Sequence, residues 1–236
     1  MEDINLMLAL RMKREIIVTT DGSHSIVIPE MGVTYHSSHG AIQESMHVFI
    51  ESGLRYWLQK HSPALSVSIL ELGFGTGLNA LLSLVEAEKT QVQVYYETIE
   101  PYPLDLPTVA LLNYCEQLGR PDLNETFTQL HNCAWEETIP VSPHFNFKKR
   151  KIDFANYVPA QLFNIVFFDA FAPDIQPALW TAAVFKKLYA GMHAEGVLTT
   201  YCSKSIVRKA MVEAGWKVEK IPGPPHKREM VRAGKQ

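Results

Sequence analysis

The sequence has little cysteine. Its three cysteines, Cys115, Cys133 and Cys202, are scattered over 236 residues, and none forms a Cys-x-x-Cys pair. An odd, scattered set excludes a disulfide framework and is typical of thiols in a reducing compartment. The closest histidine pair, His36 and His39, lies in a Ser- and Gly-rich segment without the spacing of a metal site. We therefore expect no bound metal.

Long apolar runs are also missing. No stretch approaches the roughly 20 residues that cross a bilayer as a helix. The apolar run at residues 6–10 stops at Arg11, and Glu2 and Asp3 stand where a signal peptide would carry positive charge. These features predict a cytoplasmic protein.

The chain lacks the positive excess of a general nucleic-acid binder, since its formal net charge is −3. The average hides an asymmetry: residues 186–236 carry a net charge of +7, and residues 1–185 carry −10. A basic C-terminal fifth favours an anionic partner, although a solvated basic surface without a partner is the alternative. Hydrophobic residues make up 47%, which predicts a sizeable core.

Apolar segments alternate between strand-like and helix-like patterns. Two β-type runs flank Asp21-Gly22 as in a hairpin, and residues 41–59 have the period of one amphipathic helix. The later alternation predicts a Rossmann-like α/β domain, a mostly parallel sheet with helices on both faces and one antiparallel strand. We expect residues 1–60 to form a hairpin and helix extension packed on a core of residues 61–236. The predicted strands of that core are 67–72, 92–100, 145–151, 163–169, 197–201, 216–220 and 228–233, and its helices are 78–88, parts of 103–131, 177–189 and 204–214.

The strongest local motif is residues 71–79, an acid followed by Gly-x-Gly-x-Gly between a predicted strand and a predicted helix. Glycines allow a sharp turn and the close approach of a ligand, and a helix N-terminus offers N–H groups to an anion. The spacing differs from the dinucleotide fingerprint and from a phosphate-binding P-loop. S-adenosylmethionine carries an ammonium and a carboxylate, which suit this arrangement better than a pyrophosphate; a plain tight turn is the alternative. The predicted cofactor-binding residues here are Glu71, Gly73, Phe74, Gly75, Thr76, Gly77 and Asn79.

An acid at the end of the next strand is the second signal. Glu100 lies 23 residues after Gly77, a distance expected for a carboxylate that accepts from ribose hydroxyls. Glu97 competes by distance alone. Strand alternation places Glu97 on the opposite face, and Glu100 is nearer the carboxyl edge of the sheet, where ligands bind in open α/β folds. We therefore predict Glu100 as the ribose ligand.

Two further acids follow predicted strands. Asp153, with Phe154 beside it, is a candidate for accepting from an adenine amino group while the ring packs on Phe154; an ordinary strand-end acid is the alternative. Asp169 leaves a strongly apolar strand into the segment Ala-Phe-Ala-Pro. Burying a carboxylate costs free energy unless it is paired or functional. We predict Asp169 as a catalytic residue facing the methyl donor, with a structural hydrogen bond as the alternative.

In this order, the motifs resemble the MnmD-type tRNA methyltransferases, equivalent to the methyltransferase half of the bifunctional MnmC protein. The likeness runs from Tyr35 to Ala233, and the segments at 169–173 and 223–230 are more specific than the glycine loop. The matching segments are 35–37, 40–49, 71–79, 99–104, 169–173, 179–181 and 223–230.

The resemblance implies transfer of a methyl from S-adenosylmethionine to the amine of 5-aminomethyl-2-thiouridine at the tRNA wobble position. It implies that Asp169 holds the substrate amine, and that tRNA is the partner through its anticodon loop. Because no flavin-binding half is present in this sequence, we expect a separate protein to supply the aminomethyl group. The predicted substrate-binding residues are Phe171, Pro173, Lys204, Lys227 and Arg228, with Arg208 a further candidate for phosphate contact.

Two other hypotheses of function remain open. A small-molecule amine N-methyltransferase or an aminopropyltransferase of the spermidine-synthase kind would use a similar loop, ribose-binding acid and catalytic Asp. The apolar residues after Asp169 differ from the acids such a polyamine site requires. A protein of another class, binding S-adenosylmethionine and tRNA without chemistry, would not need Asp169.

Overall fold

The computed structural model describes residues 13–236, so the features at residues 2–11 lie outside the described part. An eight-stranded sheet forms the centre, in the order β10-β11-β9-β8-β4-β5-β7-β6. A three-stranded antiparallel sheet of β1, β2 and β3 precedes it. The strands are β1 (Glu15–Val18), β2 (His24–Ile28), β3 (Val33–Thr34), β4 (Ser66–Leu72), β5 (Gln93–Ile99), β6 (Thr138–Ser142), β7 (Phe145–Arg150), β8 (Phe163–Phe168), β9 (Met192–Thr200), β10 (Lys217–Pro222) and β11 (Glu229–Gly234).

The helices follow the predicted alternation. α1 is continuous over residues 41–60, as Ala41–Ser45, Met46–Arg55 and Tyr56–Lys60. The others are α2 (Leu78–Thr90), α3 (Leu106–Val109), α4 (Tyr114–Gln117), α5 (Asn124–Asn132), α6 (Ala182–Ala190) and α7 (Ser205–Glu213). Single-turn 3₁₀ segments lie at Pro29–Met31, Pro121–Leu123, Phe154–Asn156 and Pro177–Trp180.

Burial on both faces explains the central strands. β8 is fully buried apart from Asn164, and a parallel strand covered on both sides is a continuous apolar run. β4 pairs in parallel with β5 and with β8, and Leu72 is in register with both Ile99 and Phe168. Three strand ends are therefore level at one edge of the sheet. The α/β class and the N-terminal hairpin are confirmed.

Two details of the fold differ from the prediction. β6 was not predicted, and it pairs antiparallel with β7, so the sheet has a second antiparallel strand besides β11. The helix expected over 177–189 is two elements, because Thr181 is extended and its hydroxyl accepts from the Val184 N–H as the N-cap of α6.

The middle of α1 is a π-helix, from Met46 to Arg55, and not the regular α-helix that the apolar period indicated. A π-helix bonds each N–H to the carbonyl five residues earlier and so widens the turn. This segment packs on β8 and β9, and Gly53 lies against the sheet. A Cβ at Gly53 would be 2.9 Å from the Phe167 ring and 3.2 Å from Thr199 Oγ1.

No helix within residues 13–236 is long and apolar enough to cross a membrane.

We predict that Gly53→Leu lowers the free energy of unfolding by about 1–3 kcal/mol, the usual cost of overpacking a core. The added side chain must displace α1 from β8 and β9. Gly234→Leu is the control, because a Cβ at Gly234 meets nothing within 4 Å. Urea unfolding would measure both. Equal stability of the two variants would show that α1 does not pack closely through Gly53.

Candidate functional site

A cavity of about 820 Å³ opens at the edge where β4, β5 and β8 end. The first residue after each strand is Gly73, Glu100 or Asp169, and all three line it. Backbone bonds lock the three ends together: the Gly73 N–H donates to Ile99 O, and the Asp169 N–H to Leu72 O, each at 3.0 Å. Level strand ends therefore bring together side chains that are far apart in sequence.

The glycine loop turns the chain from β4 into α2 through positive φ angles. Gly73, Gly75 and Gly77 have φ of 94°, 50° and 75°, a region that costs L side chains strain. A Cβ at Gly73 would lie 2.5 Å from the Asp169 carbonyl oxygen, and one at Gly77 would lie 2.6 Å from His131 Nε2. Glycine is therefore required for the loop to fold against Asp169 and α5.

Glu100 is held by the loop that it faces. Its Oε2 accepts from the Gly75 N–H at 3.0 Å, and its Oε1 accepts from the Tyr102 N–H at 2.8 Å. Burial raises the pKa of Glu100, and these two hydrogen bonds oppose the rise. Each carboxylate oxygen keeps a further lone pair. Glu100 can thus accept additional donors from the cavity.

Glu97 lies elsewhere. It is fully buried, accepts from Tyr95 Oη at 2.8 Å and pairs with Arg150 at 3.4 Å. It is not among the residues that line the cavity. Of the two acids that the sequence left in competition, Glu100 is therefore the one at the cavity.

Asp153 and Phe154 also line the cavity. Asp153 Oδ1 accepts from the Ala155 N–H at 2.7 Å and so caps the short 3₁₀ turn at Phe154–Asn156. Phe154 is 4% exposed, and its carbonyl accepts from Lys187 Nζ at 2.8 Å. The turn holds an acid and an aromatic ring together at the wall beyond Glu100.

Asp169 is bound by a single amide. Asn79 Nδ2 donates to Asp169 Oδ2 at 2.8 Å and to Glu71 Oε1 at 3.0 Å. Burial, with the neighbouring Glu44 charge, raises the pKa of Asp169 to about 7. Burial, with Asp169 nearby, raises the pKa of Glu71 to about 8. Both carboxyls therefore have pKa values close to neutral pH.

Glu71 does not reach the cavity. It is fully buried and lies behind Asn79, which does line the cavity. Glu71 was predicted from the sequence as a cofactor-binding residue. Alternation along the strand cannot show that a side chain from the next helix, Asn79, lies between Glu71 and the cavity. Its contact with the site passes through Asn79.

The lining of the cavity also includes residues to which the sequence analysis gave no role. Tyr35 packs edge-on against Phe171 with ring centroids 5.2 Å apart. His36 Nε2 bonds Thr76 Oγ1 at 2.7 Å, and burial lowers the pKa of His36 to about 4, so the ring is neutral. Tyr201 Oη donates to Ala170 O at 2.8 Å. Tyr35 and His36 lie within segment 35–37 of the family resemblance. That match was the signal in the sequence from which their place in the site could have been predicted.

The basic residues separate into two groups. Lys227 faces the cavity, with Nζ 2.5 Å from Glu44 Oε1 and 4.6 Å from the centre of the Tyr201 ring. Lys204 and Arg228 are exposed and outside the cavity lining, and Lys204 pairs with Asp174. Pro173 is buried outside it, whereas Phe171 lines the cavity. Within residues 13–236 no group of three His, Cys, Asp or Glu side chains is placed to hold a metal.

Comparison with known proteins finds similarities in sequence and in architecture. Residues 144–236 match a family described as S-adenosyl-L-methionine-dependent methyltransferase. The bifunctional protein MnmC, of tRNA 5-methylaminomethyl-2-thiouridine biosynthesis, is 30% identical over 84% of the chain in Leptospira interrogans and 28% over 85% in Nitrosospira multiformis. The chain spans about a third of the length of these relatives, 32% and 34%. The resemblance inferred from the motifs is confirmed.

The solved structure of MnmC2 from Aquifex aeolicus superposes with a TM-score of 0.75 at 25% identity, covering all of this chain and 77% of that one. Spermidine synthase from Thermotoga maritima superposes with a TM-score of 0.53 at 13% identity, a likeness of fold alone. The aminopropyltransferase alternative thus gains no support beyond the shared architecture.

We predict that Glu71→Gln becomes more stabilising relative to the parent protein as pH rises from about 5 to about 8. A carboxyl with a pKa raised from 4.5 to about 8 on folding stabilises the folded state below 4.5 and loses that contribution as pH rises through 8. Gln keeps an acceptor for Asn79 and does not titrate. The difference in Tm between variant and parent, measured across this range, should therefore grow.

Glu229→Gln is the control, because Lys220 holds the pKa of Glu229 below its ordinary value. Its effect on Tm should be constant over the same range. A constant difference for Glu71→Gln as well would contradict a raised pKa at Glu71.

Proposed function

We propose that the chain uses S-adenosyl-L-methionine to methylate the amine of 5-aminomethyl-2-thiouridine at the tRNA wobble position, because residues 144–236 match a family of S-adenosyl-L-methionine-dependent methyltransferases and the chain is similar to MnmC and MnmC2. The observation that carries the proposal is Asp169, a cavity-facing carboxylate with a pKa near 7 next to the glycine loop.

The cavity fits the cofactor. The loop at Gly73 and Gly75 leaves backbone exposed to a ligand, Glu100 retains acceptor capacity, and Asp153 with Phe154 offers an acid and a ring at the far wall. We assign the loop to the methionine part, Glu100 to the ribose and Asp153 with Phe154 to the adenine. When bound, the cofactor supplies an electrophilic methyl group on a sulfonium.

Asp169 acts on the amine. A free aliphatic amine is mostly protonated at neutral pH, and only its unprotonated form has a lone pair to attack a methyl group. An ionised Asp169 attracts the ammonium, and it then accepts its proton or orients the lone pair. Asn79 fixes the Asp169 carboxylate by its hydrogen bond. The packed rings of Phe171 and Tyr35 shield the amine from solvent. Positioning of this kind supplies much of the rate of methyl transfer.

Two observations support tRNA as the substrate: the similarity of the chain to MnmC and the net positive charge of residues 186–236. A wobble base lies in a single-stranded loop, so it can be splayed into a cavity at modest cost. We assign Arg208, Arg228 and Lys204 to phosphates, since all three belong to the basic C-terminal fifth. With tRNA as the proposed substrate, we also propose that the protein is cytoplasmic. Supply of the aminomethyl group by a separate protein stays a prediction.

We also propose a division of labour between the parts of the chain. Residues 61–236 form the cofactor-binding core. Residues 13–60, the described part of the extension, pack on it and supply Tyr35, His36 and Glu44 to the cavity. In this view the extension shapes the substrate side of the site.

We predict that Glu100→Gln weakens binding of S-adenosylmethionine by about 1–3 kcal/mol, the scale for losing charge-assisted hydrogen bonds. Glu97→Gln is the matched control, because it removes a charge from the same strand region but leaves an acceptor for Tyr95. Titration calorimetry would compare them. The reverse ranking would place the ribose at Glu97.

We predict that the protein methylates bulk tRNA from cells lacking this modification, and that Asp169→Asn lowers turnover by roughly 100-fold or more. Nucleoside analysis after incubation with labelled cofactor would show the methylaminomethyl product. Asp174→Asn, an exposed acid of the same loop, should retain turnover. No product from the parent protein would reject the substrate, and near-normal turnover of Asp169→Asn would make Asp169 structural.

A further inference from the structure

A second carboxylate, Glu44, lines the same cavity as Asp169. It comes from the first turn of α1, its side chain is 10% exposed, and its Oε2 accepts from the Ser37 N–H at 2.7 Å. The Glu44 charge contributes to the raised pKa of Asp169, so the two carboxylates are close enough to interact. Besides Glu100 and Asp153, which are assigned to the cofactor, the cavity therefore presents two acids to a cationic group, although the reaction described above uses one.

Glu44 is already bound to an ammonium of the protein itself. Lys227 Nζ lies 2.5 Å from Glu44 Oε1 and 4.6 Å from the centre of the Tyr201 ring. Tyr201 is fixed in turn by its hydrogen bond to Ala170 O, one residue after Asp169. A carboxylate and an aromatic face together form the surroundings that favour an alkylammonium.

Only the Lys227 side chain has to move for this position to be vacated. The turn that carries it is closed by the Gly223 N–H to Arg228 O and the Lys227 N–H to Pro224 O. A Cβ at Gly223 would lie 2.5 Å from the Lys227 carbonyl oxygen, so the turn is tightly packed. The Lys227 side chain is 37% exposed, which gives its flexible four-carbon stem a route to solvent.

The lysine head group and the proposed substrate group have the same chemistry, since each is a primary ammonium on a methylene carbon. We propose that Glu44 and Tyr201 form the subsite for the substrate amine beside Asp169, and that Lys227 occupies this subsite until an RNA phosphate next to the target base attracts it away. The inference rests on the proposed function.

Exchange of partners makes the site selective. A small amine that displaces Lys227 replaces one ammonium on Glu44 by another and leaves the lysine without its ion pair, so it gains little. A nucleotide within RNA brings both the amine for Glu44 and a phosphate for Lys227, so no charge loses its partner. The cavity thus discriminates against free amines by the contact it must break.

Binding of 5-aminomethyluridine as the free nucleoside tests the inference. With S-adenosylhomocysteine present, Lys227→Met should bind this nucleoside about 10-fold or more tightly than the parent, the scale of one charge-assisted hydrogen bond. Lys227→Gln should show the same gain with a polar side chain. Adding Glu44→Gln to Lys227→Met should abolish it. Lys217→Met, which removes an exposed cation outside the cavity lining, should bind as the parent does.

The neutral nucleoside 5-hydroxymethyluridine distinguishes the effect of the Lys227 charge from the effect of the volume that its side chain fills. It should gain nothing from Lys227→Met, and an equal gain for both nucleosides would show that the lysine merely fills volume. For tRNA, Lys227→Met should reduce the salt dependence of binding by about one phosphate contact.

Unchanged affinity of Lys227→Met for 5-aminomethyluridine overturns the inference. If the parent protein methylates tRNA in that case, the proposed function stands and only the role of Lys227 and Glu44 fails. A tighter Lys227→Met complex in a protein that does not methylate tRNA would support the amine subsite and reject tRNA as the substrate.

Discussion

The side-chain amide of Asn79 holds two carboxylates, the buried Glu71 and the partly buried Asp169, and the site is built around it. Without its donation to Asp169 and Glu71, two acids would stand close together in a poorly solvated place, which is costly for their charged forms. With it, Asp169 has a fixed position and a pKa near neutrality. Asn79 is the second residue of α2, so its place depends on the left-handed glycines that turn β4 into that helix.

The sheet supplies the cofactor side of the cavity, and non-local elements supply the other side. Gly73, Glu100 and Asp169 follow strands whose ends are in register, so parallel pairing alone aligns them. Glu44 and Lys227 come from α1 and from the turn between β10 and β11. These outer elements carry the groups that we assign to the substrate amine, which suits a fold in which the cofactor site is constant and the substrate side varies.

Strand ends were the part of the site that could be predicted from sequence. Gly73, Glu100 and Asp169 each follow an apolar run, so period and position identified them. Lys227 was predicted to bind substrate together with other basic residues of the C-terminal fifth. Its pairing with Glu44 was not predicted, because the two residues are 183 positions apart and no local pattern reports the contact. Glu71 was expected at the cavity for a similar reason, since the intervening Asn79 belongs to the next element.

Two differences between the predicted and the observed fold, the π-helix and β6, also arise from features that local sequence patterns do not report. The apolar period of residues 41–59 identified one buried helical face, but it does not distinguish an α-helix from the π-helix formed at Met46–Arg55. That widening occurs where Gly53 meets Phe167 and Thr199, a contact set by packing on the sheet. β6 has the weakly apolar, half-exposed pattern of an edge strand, which a search for buried runs passes over.

The central claim is that Asp169 has a pKa near neutral pH. Carboxyl ¹³C NMR of the protein without substrate tests this claim most directly. The Asp169 resonance can be assigned by its loss in Asp169→Asn. We expect a titration midpoint near 7, because burial and the Glu44 charge oppose ionisation of Asp169. A midpoint near the ordinary value of 3.8 would contradict it, since Asp169 would then be fully ionised and unable to exchange a proton with an amine near neutral pH.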